Sequence, residues 1–253
     1  METFKQGKNR NILLVILGIL LIILICTYTY WFFNVRNKVN EPDSQTFTPV
    51  GDINKEVVFS DDIGIDLMEE ALALKLKYND VVGWMKVPGT SIDTAVFQSS
   101  DNSRYLRHDR DNNNTKWGEM FLDYRNNINE MDDRKNFIIY GHNTSEDSWL
   151  TPVMNYASED FFKGHKFIEF STVNKNYKWE IFTVYKTTTD FFYIDTNFAN
   201  KDEYFDFISL CKSKSLYNTN VEITKDDTIL TLSTCEYSQE NGRFVIQAKL
   251  VKE

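Results

Sequence analysis

Cysteine, histidine, proline and glycine are all scarce. The 253-residue chain holds three Cys, three His, four Pro and ten Gly, and each shortage removes a class of function. No two glycines stand two or five positions apart, so neither a dinucleotide-binding fingerprint nor a Walker-type phosphate loop can be written. The histidines at 108, 142 and 165 do not have metalloprotease spacing, and no two of Cys26, Cys211 and Cys235 are near enough to form a zinc pair. The residues therefore support no metal and no nucleotide cofactor. Too little Gly and Pro is present for collagen-like or low-complexity sequence, and no period of about 20–50 residues marks a repeat array.

Core material, by contrast, is plentiful. Hydrophobic residues make up 42% of the chain and aromatics 15%, enough for one sizeable core and one folded domain. Basic residues number 28 against 37 acidic ones. The first forty positions hold five basic and one acidic residue, which leaves 23 basic against 36 acidic in 41–253. An acidic body without a Lys/Arg stripe lacks the footprint of phosphate-backbone binding, so nucleic acid is not an expected partner.

The one long apolar run spans Ile12 to Phe33. As a helix it would be about 33 Å long, enough to cross a bilayer core of roughly 30 Å. Lys5, Lys8 and Arg10 precede it, and Tyr28, Tyr30 and Trp31 sit at its far end like an interfacial aromatic belt. The expectation is a cytoplasmic tail (1–11), a single-pass anchor in the plasma membrane (12–33) and an extracellular body. A cleaved signal wants small residues after a shorter apolar region, and bulky Tyr, Trp and Phe stand there instead. An acylated lipoprotein cysteine normally follows a small residue, whereas Cys26 follows Ile25. Residues 34–60, with Pro42, Pro49 and Gly51, read as a linker to a folded domain at 61–253.

Within the body, Asp66 and Glu69 form a capping-box-like start, and Leu67, Ala71, Leu74 and Tyr78 recur at helical spacing. Eight runs rich in Val, Ile, Phe, Tyr and Thr follow as expected strands: 83–87, 92–97, 118–122, 136–140, 166–171, 177–188, 228–235 and 243–251. Turn chemistry at Val87–Thr90 and Gln239–Gly242 makes two of the connections local hairpins, the second pairing the last two strands. Between the sixth and seventh runs, Tyr204, Phe207, Ile208 and Cys211 form an i, i+3, i+4, i+7 stripe that predicts a helix within 201–217.

The remaining chemistry is a Cys, a His and an Arg. Cys235 closes one strand, His142 follows another by two residues, and Arg243 opens the last strand across the presumed turn from Cys235. A thiolate can attack a peptide carbonyl, an imidazolium can protonate the leaving amine, and cationic donors can hold the oxyanion that develops between those steps. Spacing alone leaves the bland readings open. A strand cysteine is more often core than nucleophile, and outside a cell Cys211 and Cys235 could pair as a disulfide, although Cys211 falls on the apolar stripe and reads as packed. His108 and His165 read as structural or surface histidines, and Glu236 as a solvated loop carboxylate.

At these residues the sequence resembles the sortases, membrane-anchored cysteine transpeptidases of Gram-positive bacteria. Asn79–Thr90 is similar to the segment that opens the sortase barrel, Tyr140-Gly141-His142-Asn143 to the catalytic-histidine motif, and Thr231-Leu232-Ser233-Thr234-Cys235 to the catalytic-cysteine signature; Arg243 falls where the family arginine is expected. The resemblance implies a mainly β fold: a closed eight-stranded barrel with an N-terminal helix and a long helix between strands 6 and 7, features most like class B. It also implies Cys235 as nucleophile, His142 as general acid and base, Arg243 as oxyanion and positioning group, and Ser233 and Thr234 as substrate-binding residues.

The expected partners are surface proteins bearing a C-terminal sorting signal of the Asn-Pro-Gln-Thr-Asn type, cleaved after Thr, and an amine of a peptidoglycan cross-bridge or lipid-linked precursor. Thr144 after His142-Asn143, and Leu150-Thr151-Pro152, depart from the family pattern in the region of the substrate pocket. A plain cysteine hydrolase, a pilus-polymerising sortase and an inactive membrane-tethered binding module are the competing functions.

Overall fold

A computed structural model describes residues 66–131, 135–144 and 149–252. The expected tail, the 12–33 anchor and the 34–60 linker lie outside the described residues. Among those described, no helix is long and apolar enough to cross a membrane.

Asp66 caps the first helix, α1 (Leu67–Lys75), by accepting from the Met68 N–H at 2.9 Å. The helix buries Leu67 and Ala71. It stops before Tyr78, the last member of the expected stripe, because a tight turn carries Tyr78 away from the helix to pack edge-on against Phe97.

Eight strands follow: β1 (Val81–Lys86), β2 (Asp93–Phe97), β3 (Phe121–Leu122), β4 (Asn136–Tyr140), β5 (Phe167–Thr172), β6 (Lys178–Thr188), β7 (Ile229–Cys235) and β8 (Gly242–Leu250). They close into a barrel in the order β1-β2-β3-β4-β7-β8-β6-β5. The β2–β3 and β4–β7 pairs are parallel and the rest antiparallel. Each expected run overlaps a strand, and the two expected hairpins are β1–β2 and β7–β8. Only β3 is much shorter than expected. Gly118 takes a positive φ of 55°, and Glu119 turns aside, its N–H bonding Tyr105 O and its carboxylate the Arg110 guanidinium.

Shorter elements fill the connections: α2 (Arg104–Arg107), a 3-10 turn at Thr151–Ala157, α3 (Glu159–Gly164) and, between β6 and β7, α4 (Lys201–Ser213). Strand alternation then divides the barrel into two faces. Phe137, Ile139, Leu230, Leu232, Phe244 and Ile246 belong to the fully buried interior cluster. Ile229 faces outward and packs with Phe182 beneath Tyr204 and Ile208 of α4, and Val245 packs with Tyr185, Tyr193 and Cys211. The outer face of β7 and β8 is therefore roofed by α4 and by the irregular segment 189–200 that leads into it.

Candidate active site

The outer-face alternation runs off the end of the roof at Cys235. In the β7–β8 ladder Cys235 lies directly opposite Arg243, Ser233 opposite Val245 and Thr231 opposite Gln247. Side chains at such directly paired antiparallel positions have Cβ atoms about 5 Å apart. In the parallel β4–β7 ladder Tyr140 is level with Ser233. The ladder ends at that pair, and His142 follows Tyr140 by two residues. Thiol, imidazole and guanidinium carriers all line one cavity of about 340 Å³, a volume within the range of ligand pockets, roughly 300–1,000 Å³.

Local bonds fix these strand ends. The Thr234 hydroxyl donates to Gly141 O at 2.7 Å, and the Asn143 amide donates to Cys235 O at 2.8 Å, so the chain on either side of His142 is tied to the strand bearing Cys235. Gly141 is required at its position: a Cβ there would stand 2.8 Å from Leu150 Cγ and 3.3 Å from Trp149 Cβ. The His142 Nε2 is 2.9 Å from Leu106 O. A carbonyl only accepts, so Nε2 carries the hydrogen, and in the neutral ring Nδ1 is the basic nitrogen. Arg243 gives one of its five N–H donors to Gly242 O at 2.8 Å.

Ser233 and Thr234 also line the cavity, but both are buried and both hydroxyls have partners within the protein. The Ser233 Oγ is 2.7 Å from the Tyr193 hydroxyl, and Thr234 is committed to Gly141. Tyr193, which spacing does not single out, also lines the cavity. Burial raises its phenol, Ser233 and Arg243 pull it back, and the Cys235 thiol adds to the rise. Tyr237 is a second residue that spacing does not mark. Its hydroxyl donates to Asn143 O at 2.6 Å, and it feels both Cys235 and Arg243.

Glu236 corrects the sequence reading. It is not solvated: only 6% of it is exposed, and its carboxylate accepts from Lys186 Nζ at 3.0 Å and from the Ser238 hydroxyl at 2.6 Å. The loop between β7 and β8 folds back over β6, which encloses the residue following Cys235. Gly242 closes that loop, and a Cβ there would collide with Glu236 O.

Cys211 and Cys235 are both free thiols. Cys211 is fully buried, and burial pushes its thiol up to about 11. His165 stacks on Phe161 with centroids 4.1 Å apart and bonds Phe161 O, while His108 contacts Arg104 O. Neither lines the cavity. Among the described residues no cluster of His, Cys, Asp and Glu is arranged to hold a metal.

Comparison with known proteins identifies the family and the fold. Residues 85–251 match the family model described as Sortase domain. The chain is 35% identical to sortase B of Listeria monocytogenes over 249 residues, 98% of each chain. The Staphylococcus aureus sortase B-substrate complex superposes with a TM-score of 0.68 at 36% identity, covering 74% of this chain and 86% of that one. A sortase B complexed with triglycine does so with a TM-score of 0.68 at 36% identity, covering 73% of this chain and 86% of the other.

Proposed function

Because the chain belongs to the sortase family of cysteine transpeptidases, we propose that it cleaves a C-terminal sorting signal of the Asn-Pro-Gln-Thr-Asn type after Thr and passes the acyl group to a peptidoglycan amine. The observation that carries this reading is that Cys235, directly paired with Arg243 in the β7–β8 ladder, lines one pocket together with Arg243 and His142.

In this mechanism the Cys235 thiolate attacks the Thr carbonyl carbon, and Arg243 donates to the oxyanion that forms. The carbonyl re-forms as the C–N bond breaks, and the departing amine takes a proton from imidazolium His142. The thioester left on Cys235 is then attacked by the acceptor amine. His142 removes that amine's proton, and the thiolate leaves. Tyr193 and Ser233 contribute to the pocket through the bond between them, and Thr234 by holding the His142 segment against β7. The solved sortase B complexes with a substrate and with triglycine support the donor and acceptor halves of the reading.

The cell-wall setting belongs to the same proposal. The apolar run Ile12–Phe33 anchors the protein in the plasma membrane, with the basic tail inside and the barrel outside. Its length and flanking charge support this, and the alignment with the Listeria relative runs across that stretch as well.

Product analysis by mass spectrometry, with and without an added oligoglycine or diamino-acid amine, tests the transfer step. A ligated product that grows with amine concentration is expected. Cleavage with only water as acceptor at every amine tested would make the enzyme a hydrolase.

A further inference from the structure

One wall of the catalytic pocket has no regular secondary structure to hold it. Phe191, Phe192, Tyr193 and Ile194 line the cavity from the segment between β6 and α4, and Asn102 and Tyr140 line it as well. This segment joins no sheet ladder; the Tyr193 N–H bonds Phe191 O, while the carbonyls of Tyr193, Ile194 and Asp195 accept from side-chain donors reaching in from elsewhere.

Two side chains supply them. The Arg125 Nη2 donates to Ile194 O at 2.9 Å. The buried Asn136 amide donates to Asp195 O at 2.9 Å and to Tyr193 O at 3.3 Å, and its own oxygen accepts from the Thr231 hydroxyl at 2.6 Å. Three successive carbonyls of the wall are thus set by β4 and the turn before it.

Arg125 is in turn locked by Asp123, which is fully buried. One carboxylate oxygen accepts from Arg125 Nε at 2.8 Å. The other accepts from Arg125 Nη2 at 2.7 Å, from the Asn102 amide at 2.9 Å and from the Tyr140 hydroxyl at 2.9 Å. Asn102 and Tyr140 also line the pocket. One ion pair, its carboxylate buried and its guanidinium partly exposed, therefore holds Asn102 and Tyr140 through Asp123 and Ile194 through Arg125.

We propose that the Asp123–Arg125 pair is a positioning clamp that fixes the Phe191–Ile194 wall of the substrate pocket against Asn102 and Tyr140 and so governs how the sorting peptide is gripped, without touching the reacting atoms. The planar guanidinium is needed for this. Its fork meets both carboxylate oxygens while Nη2 also reaches Ile194 O, and a lysine ammonium can keep the charge but cannot reproduce that planar fork. The inference rests on the peptide-cleaving function proposed above.

The test is steady-state cleavage of a sorting-signal peptide by the full chain carrying Arg125→Lys or Arg125→Met, with thermal unfolding and the rate of Cys235 alkylation by iodoacetamide measured on the same samples. For Arg125→Lys we expect KM to rise about tenfold, kcat to stay within about twofold and the alkylation rate to stay unchanged, with a melting temperature near that of the unsubstituted protein. Arg125→Met, which leaves Asp123 buried without a cation, should add a loss of stability; if it does not fold, Arg125→Lys alone decides. An unchanged KM in Arg125→Lys, or a fall in kcat that parallels slower alkylation, would overturn the clamp. No cleavage by the unsubstituted protein would overturn the functional reading, and the clamp with it.

Discussion

Cys235 and Arg243 face each other across the last hairpin as a directly paired position of the β7–β8 ladder. The pairing makes their proximity a property of the sheet rather than of a flexible loop, and in the proposed mechanism the guanidinium serves the oxyanion formed by attack of the thiol.

Cys235→Ala and His142→Ala should each abolish peptide cleavage while leaving the fold intact, because both residues sit at strand ends and only partly buried. Circular dichroism beside a cleavage assay checks both halves of this. Retained turnover in either variant would remove the residue from the mechanism.

Arg243→Lys keeps the charge and loses the fork. Removing one oxyanion donor typically costs about 10²–10³ in kcat, so kcat should fall by about that factor with KM changed far less. A rise in KM at constant kcat would instead mark Arg243 as a ground-state binding residue.

Thr234→Val preserves shape but removes the hydroxyl that satisfies Gly141 O. Leaving a buried acceptor unsatisfied costs about 1–3 kcal/mol, so urea denaturation should show a loss in that range. Activity should also drop, since the same bond holds the His142 segment against β7.

Acid should weaken the protein through its buried carboxylates. Burial alone would raise Asp123, but Arg125, Tyr140 and Asn102 hold it below 3.8; Glu236 is held below 4.5 against its own burial by Ser238 and Lys186. A carboxyl whose folded value is depressed adds stability above its unfolded value and loses it as pH falls through the folded one. Stability should therefore begin to decline below about pH 4.5 and fall further below about pH 4. Asp123→Asn, which removes the titrating carboxylate, should show a shallower decline. Equal slopes for the two proteins would exclude Asp123 as a source of the acid sensitivity.

The barrel is legible in the sequence because its signals are local. Runs such as Asn136–Tyr140 carry β-branched and aromatic residues between turn residues, the Gln239–Gly242 turn makes the last hairpin, and the stripe through Tyr204, Ile208 and Cys211 predicts the helix above it. Cys235, His142 and Arg243 stand at or beside strand termini, but spacing leaves their roles open, and it is the resemblance of Tyr140–Asn143 and Thr231–Cys235 to the sortase motifs that points to them. The pocket wall is not legible. Phe191–Ile194 has no periodicity, and its position comes from Arg125 and Asn136, 57–69 positions earlier in the chain. Glu236 reads as solvated in the sequence because its cation, Lys186, lies 50 residues away on β6. The short helices at Arg104–Arg107 and Glu159–Gly164 hold too few residues to show a period.

The most direct test of the account is intact-mass analysis of the full chain incubated with an Asn-Pro-Gln-Thr-Asn peptide and quenched during turnover, followed by peptide mapping. The account predicts a thioester adduct equal in mass to the peptide through its Thr, mapped to Cys235 and missing in Cys235→Ala. A folded protein whose Cys235 alkylates normally but acquires no adduct from any sorting-signal peptide, or an adduct mapped to another residue, would contradict it.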